Sequence, residues 1–178
     1  MVNDILKDAA LFYKTIEKKK YLITITRKQT TKELTIYFPT ENFSHLAGLH
    51  YLADIPAVNR RSETVYKEIL DGKITYQDIA GSTFIDKIQD RLACFSQMQK
   101  ILQSDSLYFK SLHGRFKGVE ASFVLTTKFA SDQFGFLFFA EGNPDYCPCS
   151  FFNRDEQREY TKDGTRWTIT EFREITKK

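Results

Sequence analysis

From Ser82 to Gln103 the apolar residues Phe84, Ile88, Leu92, Phe95, Met98 and Leu102 recur at steps of three and four. That period places them on one stripe of a helix built for burial. The pattern predicts a single long helix over Ser82–Gln103, with Ser82 as its cap. Arg91 interrupts the stripe. At about 100° per residue it projects within roughly 35° of the stripe's centre. An unpaired guanidinium there is costly, so two readings stand: a packed stem whose head snorkels to a carboxylate, or an anion-binding arginine at the mouth of a cleft.

The same reading extends along the chain. Asn3–Lys18 carries Ile5, Ala9, Leu11, Phe12 and Ile16 at helical intervals, with Asn3 placed to cap. Tyr21–Arg27 and Glu33–Phe38 alternate β-branched or aromatic residues with polar ones, which predicts a hairpin. After Pro39 and Thr40 a short helix is expected from Phe43 to Leu52, and Gly48 within it points to close packing. Arg60–Leu70 is the next predicted helix, ended by Asp71-Gly72, and Thr75 opens a helical turn through Ile79. Beyond the long helix the period changes to that of strands, at Leu107–Lys110, Ala121–Phe129, Phe134–Ala140, Cys149–Phe152 and Arg166–Ile175. Phe134–Phe139 is apolar on both faces, as in a strand covered on both sides. The class is α+β, helices largely first and an antiparallel sheet later.

Composition narrows this. At 178 residues, with no linker-like stretch, the chain is expected to form one domain, 1–178. Sixteen Phe, nine Tyr and one Trp supply large side chains for a mixed core. No apolar run reaches membrane length and the charged start is unlike a signal peptide, so a cytoplasmic protein without membrane contact is expected. Cys94, Cys147 and Cys149 form an odd set, read as reduced thiols. The net charge of +3 is uneven. Met1–Lys32 has eight Lys/Arg against three Asp/Glu, and Lys110–Lys128 has four against one, with His113 besides. Such runs permit a phosphate-binding surface, and they also occur on ordinary solvated faces.

Candidate chemistry starts with the histidines. On a continuous helix His45 and His50 would sit about 140° apart, at opposite edges of the face formed by Leu46, Leu49, Leu52 and Ala53. Each ring there is partly wet, suited to proton transfer or simply to packing. The spacing of five is not the i, i+4 grip on zinc, and Cys147 and Cys149 complete no known ligand motif with them. No metal and no cofactor are expected. Gly-rich phosphate loops and nucleophile elbows do not occur in the sequence.

Three segments, FSHLAGLHYL from Phe43, KITYQDIAGSTFIDKIQDRL from Lys73 and CPCSFFNRDEQREY from Cys147, occur in an order and spacing that resemble one family. It is the fourth numbered group of the phage-associated barnase, EndoU, colicin and RelE-like nucleases. The resemblance runs from about Tyr21 to the C-terminus and leaves residues 1–20, the first helix, outside its clearest part. It implies N-terminal helices packed on a curved antiparallel sheet. It also implies a metal-independent RNase of a phage or other mobile element, in some cases a toxin.

Carried over by matching residues, the resemblance puts His45 in the acid/base role, Arg91 as phosphate clamp and Ser150 as a hydrogen-bonding orienter. Lys128, Tyr160 and His50 are the further substrate-binding candidates. The implied chemistry is attack of the 2′-OH on its own phosphate, with a base, an acid and a cation in attendance. RNA is the implied partner, with an antitoxin or host protein as a second. A different class also fits: a catalytically inactive nuclease-like module that inhibits a host or defence protein by occupying it.

Overall fold

The computed structural model describes residues 4–110, 119–129, 133–162 and 164–175. By internal contacts the chain forms two compact units. One comprises the segment ending at Glu17 together with Pro39–Ser96; the other comprises Lys18–Phe38 and the chain from Gln97 onward.

The first unit is helical. Helix α1 (Ile5–Ile16) starts at Asp4, whose carboxylate accepts hydrogen bonds from the amides of Leu6 and Lys7 at 3.1 and 3.0 Å. The cap is thus Asp4; Asn3, expected in that role, lies outside the described residues. The same carboxylate accepts from Tyr76 N at 3.2 Å, at the start of α4 (Tyr76–Ile79). Between them lie α2 (Asn42–Leu46) and α3 (Ser62–Leu70). Helix α3 ends with Gly72 at φ +73°, its amide bonded to Ile69 O and that of Lys73 to Glu68 O, the paired closure that a glycine in the left-handed region permits. Tyr13, Phe43, Tyr66 and Phe95 meet at the centre, with Phe43 and Tyr66 centroids 4.8 Å apart. The two buried phenols are satisfied: Tyr13 donates to Pro39 O at 2.6 Å and Tyr66 to Ala10 O at 3.3 Å.

The long helix is not continuous. Its stretch divides into a 3-10 turn (Ile85–Lys87), α5 (Gln89–Ala93), a second 3-10 turn (Phe95–Gln97) and α6 (Met98–Leu102). The spacing carries the reason. Leu92, Phe95 and Met98 follow one another by three, the period of a 3-10 helix, so a tighter winding at Phe95 keeps all three buried. Ser82 stands at the start of the stretch as expected: its hydroxyl accepts from the amide of Phe84 at 3.1 Å and donates to Asp54, which also accepts from the amide of Thr83 at 2.8 Å. Ile88, Leu92 and Phe95 are buried as the stripe requires, and Phe84 is half-buried.

The second unit is a seven-stranded sheet: β1 (Lys20–Arg27), β2 (Thr30–Tyr37), β3 (Ser106–Lys110), β4 (Phe123–Lys128), β5 (Phe134–Glu141), β6 (Tyr146–Arg154) and β7 (Gly164–Ile175). Its order is β1-β2-β6-β5-β4-β3-β7, closed into a barrel by the antiparallel pairing of β1 with β7. It is not antiparallel throughout: β2 meets β6 in parallel at Ile36 and Tyr146. Registers such as Leu107↔Leu125, Leu125↔Leu137 and Leu137↔Phe151 put these side chains on one face, which holds the barrel core. The alternate residues Val124, Phe136, Phe138 and Phe152 form a second buried cluster with Tyr160 of the short α7 (Arg158–Thr161). This is why Phe134–Phe139 reads as apolar on both faces. Helix α6 belongs to this unit and lies against β4 and β5.

Candidate active site

Gly48 organises the site. The chain leaves α2 at Ala47, turns at Gly48 with φ +81°, and re-enters as a 3-10 turn over Leu49–Tyr51. A side chain here would be strained on two counts, because the left-handed backbone disfavours a Cβ and because that Cβ would lie 2.8 Å from Ile88 Cγ2 and 3.2 Å from Arg91 Nη1. The reversal changes the expected separation of the histidines. They do not sit about 140° apart on one helix; their rings stack, centroids 4.4 Å apart and planes 13° from parallel. Tyr51 continues the run, its centroid 4.1 Å from that of His50.

Arg91, on α5, approaches from behind. It is 9% exposed. Its Nη1 donates to Leu46 O at 3.5 Å, and its guanidinium carbon lies 5.5 Å from the Tyr51 ring centroid. Its head thus packs against a backbone carbonyl and a ring of the His45–Tyr51 turn. Lys87 reaches the same ring from the surface, Nζ at 6.0 Å.

The electrostatics separate the two histidines. The His50 side chain is exposed overall, yet His45 and Tyr51 pack against its ring and bury part of it. That burial first, then the charges of His45 and Arg91, lower His50 to about 4. His50 is consequently neutral at pH 7, the state in which an imidazole can accept a proton. A groove of about 300 Å³ runs beside the pair, lined by Ser44, His45, His50, Asn59 and Arg60 among others. Asn59 fixes its wall by donating to Leu52 O, Ala53 O and Ile55 O at 2.9, 3.2 and 3.0 Å. Arg60 is held by Glu68. The buried Ser44 hydroxyl has no hydrogen-bond partner among the described residues.

The remaining sequence candidates belong to the other unit. Ser150 lies on β6 opposite Phe138, half-buried on the second aromatic face. Lys128 is exposed at the end of β4. Tyr160 is no surface binder: its ring is buried against Phe136, Phe138 and Phe152, at 5.1, 5.8 and 4.9 Å. His113 and most of the basic run around it lie outside the described residues. Tyr51 was not singled out by pattern, although an aromatic next to a candidate histidine was the available signal.

Among the described residues no three of His, Cys, Asp and Glu converge in a way that could hold a metal ion. Cys94, Cys147 and Cys149 form no disulfide among the described residues, and burial raises the first to about 12 and the last to about 11. No helix of the described residues is long and apolar enough to cross a membrane. Among known proteins, a family model described as phage-Barnase-EndoU-ColicinE5/D-RelE like nuclease4 matches residues 5–174, α1 included. No curated protein and no solved structure matches the chain.

Proposed function

We propose, from the premise that this chain belongs to the phage-Barnase-EndoU-ColicinE5/D-RelE like nuclease family, that it is a metal-independent endoribonuclease of a phage or mobile element. The observation that supports this most directly is the stacking of His45 on His50 at 4.4 Å. Cleavage by 2′-OH attack needs a proton acceptor and a proton donor within reach of one phosphate, and the stacked pair presents two imidazoles beside the same groove. In this reading neutral His50 takes the 2′-OH proton, and His45 gives one to the departing 5′-oxygen. Arg91 acts differently from the clamp expected of it. Its guanidinium is too enclosed for a two-pronged grip, so it serves as a fixed positive charge that favours neutral His50 and opposes the charge building on the phosphate.

The wider role follows in the same reading. Acting in the cytoplasm on cellular RNA, such an enzyme is a toxin, and an antitoxin or host protein is its protein partner. The test is incubation of the purified protein with total RNA in chelator. Fragments ending in 2′,3′-cyclic phosphate are expected, DNA should stay intact because it lacks the attacking hydroxyl, and His45→Ala should slow cleavage by about 10²–10⁴-fold. No RNA loss above background, together with a folded His45→Ala protein that keeps its biological effect, would replace this reading with the inactive binding module.

A further inference from the structure

Tyr51 has no part in the proton transfers, yet it is the exposed end of the ring run. Its ring contacts His50, which stacks on His45. It keeps 40% of its surface exposed; the other large apolar side chain so exposed among the described residues, Leu11, lies on α1. Two cations attend the Tyr51 ring, Lys87 Nζ at 6.0 Å and Arg91 Cζ at 5.5 Å. Lys87 is itself exposed. An open aromatic surface with a surface cation beside it is how proteins hold unstacked bases, ring against base and ammonium against phosphate. Duplex bases are already stacked on one another and offer no such face. On the histidine side, the groove beside Asn59 gives the strand room to continue.

We propose that Tyr51 is the stacking platform for a base next to the scissile phosphate and that Lys87 contacts the flanking backbone, so that the site takes single-stranded RNA. The proposal rests on the RNase reading of the site and adds what holds the strand there.

The test uses fluorescein-labelled oligothymidylate, a single strand that cannot be cleaved by 2′-OH attack, with binding read by fluorescence anisotropy. Tyr51→Ala should weaken binding about tenfold or more, Tyr51→Trp should keep it, and Tyr51→Leu should not restore it, because size without a π face is not enough. Lys87→Gln should weaken binding and flatten its salt dependence. A duplex of equal length should be indifferent to all four changes. Wild-type affinity in Tyr51→Ala, or equal affinities in Tyr51→Leu and Tyr51→Trp, overturns the platform. So does a wild-type protein that binds no single strand at low salt. The two readings fail separately: RNA cleavage with unchanged KM in Tyr51→Ala removes the platform and leaves the nuclease, whereas Tyr51-dependent strand binding without any cleavage does the reverse.

Discussion

At the scale of single residues, His50 makes a prediction independent of turnover. Its folded value of about 4 lies below the ordinary imidazole value of 6.5. Between those limits the unfolded chain binds a proton that the folded chain does not, so stability should rise with pH from about 4 to 6.5 and level off above. In His50→Gln, denaturant melts across that window should lose this part of the slope. Arg91→Met tests the neighbouring charge. Removing it should move the acid limb of the pH–rate profile upward, since His50 then protonates more readily. An acid limb that stays in place would show that Arg91 does not act through His50. Most of this was not legible in the sequence. The residues His45 and Arg91 were, but their relation depends on a backbone reversal that helical periodicity does not encode.

At the scale of elements, that reversal is Gly48. Gly48→Ala should cost about 1–3 kcal/mol by thermal or denaturant melt, the combined effect of a left-handed φ and a Cβ set against Ile88 and Arg91. It should also separate the two imidazoles, raising the proton affinity of His50 as measured by NMR titration. The expectation of close packing at Gly48 was sound, while the continuous helix drawn through it was not. A second element-level device is Asp4. One carboxylate caps α1 and reaches the first amide of α4, so Asp4→Ala leaves donors of two helices unsatisfied. A loss of about 1–3 kcal/mol is expected, whereas a loss well under that would mean water replaces the cap.

At the scale of the whole molecule, the chain passes from one unit to the other at Glu17/Lys18, Phe38/Pro39 and Ser96/Gln97. Neither unit is a single contiguous stretch. The hairpin β1-β2 enters the sheet from the N-terminal part of the chain, and β1 pairs with β7 from Lys20↔Ile175 to Thr26↔Thr168. A fragment beginning at Gln97 would therefore expose the edge of β7 and lose Ile23, Ile25 and Ile36 from the barrel core. It should fail to fold as a monomer, seen as absent near-ultraviolet circular dichroism or as aggregation. Adding the Lys18–Phe38 hairpin as a peptide is the direct rescue.

The sequence by itself determined the elements of strong period. The hairpin, the helix over Ser62–Leu70 and the five later strands stand close to where alternation and turn residues put them, because burial of one face is a local pattern with a tertiary cause. It also placed Arg91 on the buried face of the stripe, where the structure leaves it 9% exposed. Tertiary structure alone decided where the stripe bends, that the sheet closes on itself with one parallel junction, and that His45, His50, Tyr51 and Arg91 come close together. These depend on a single left-handed residue and on contacts between segments more than forty residues apart, and such contacts have no period along the chain.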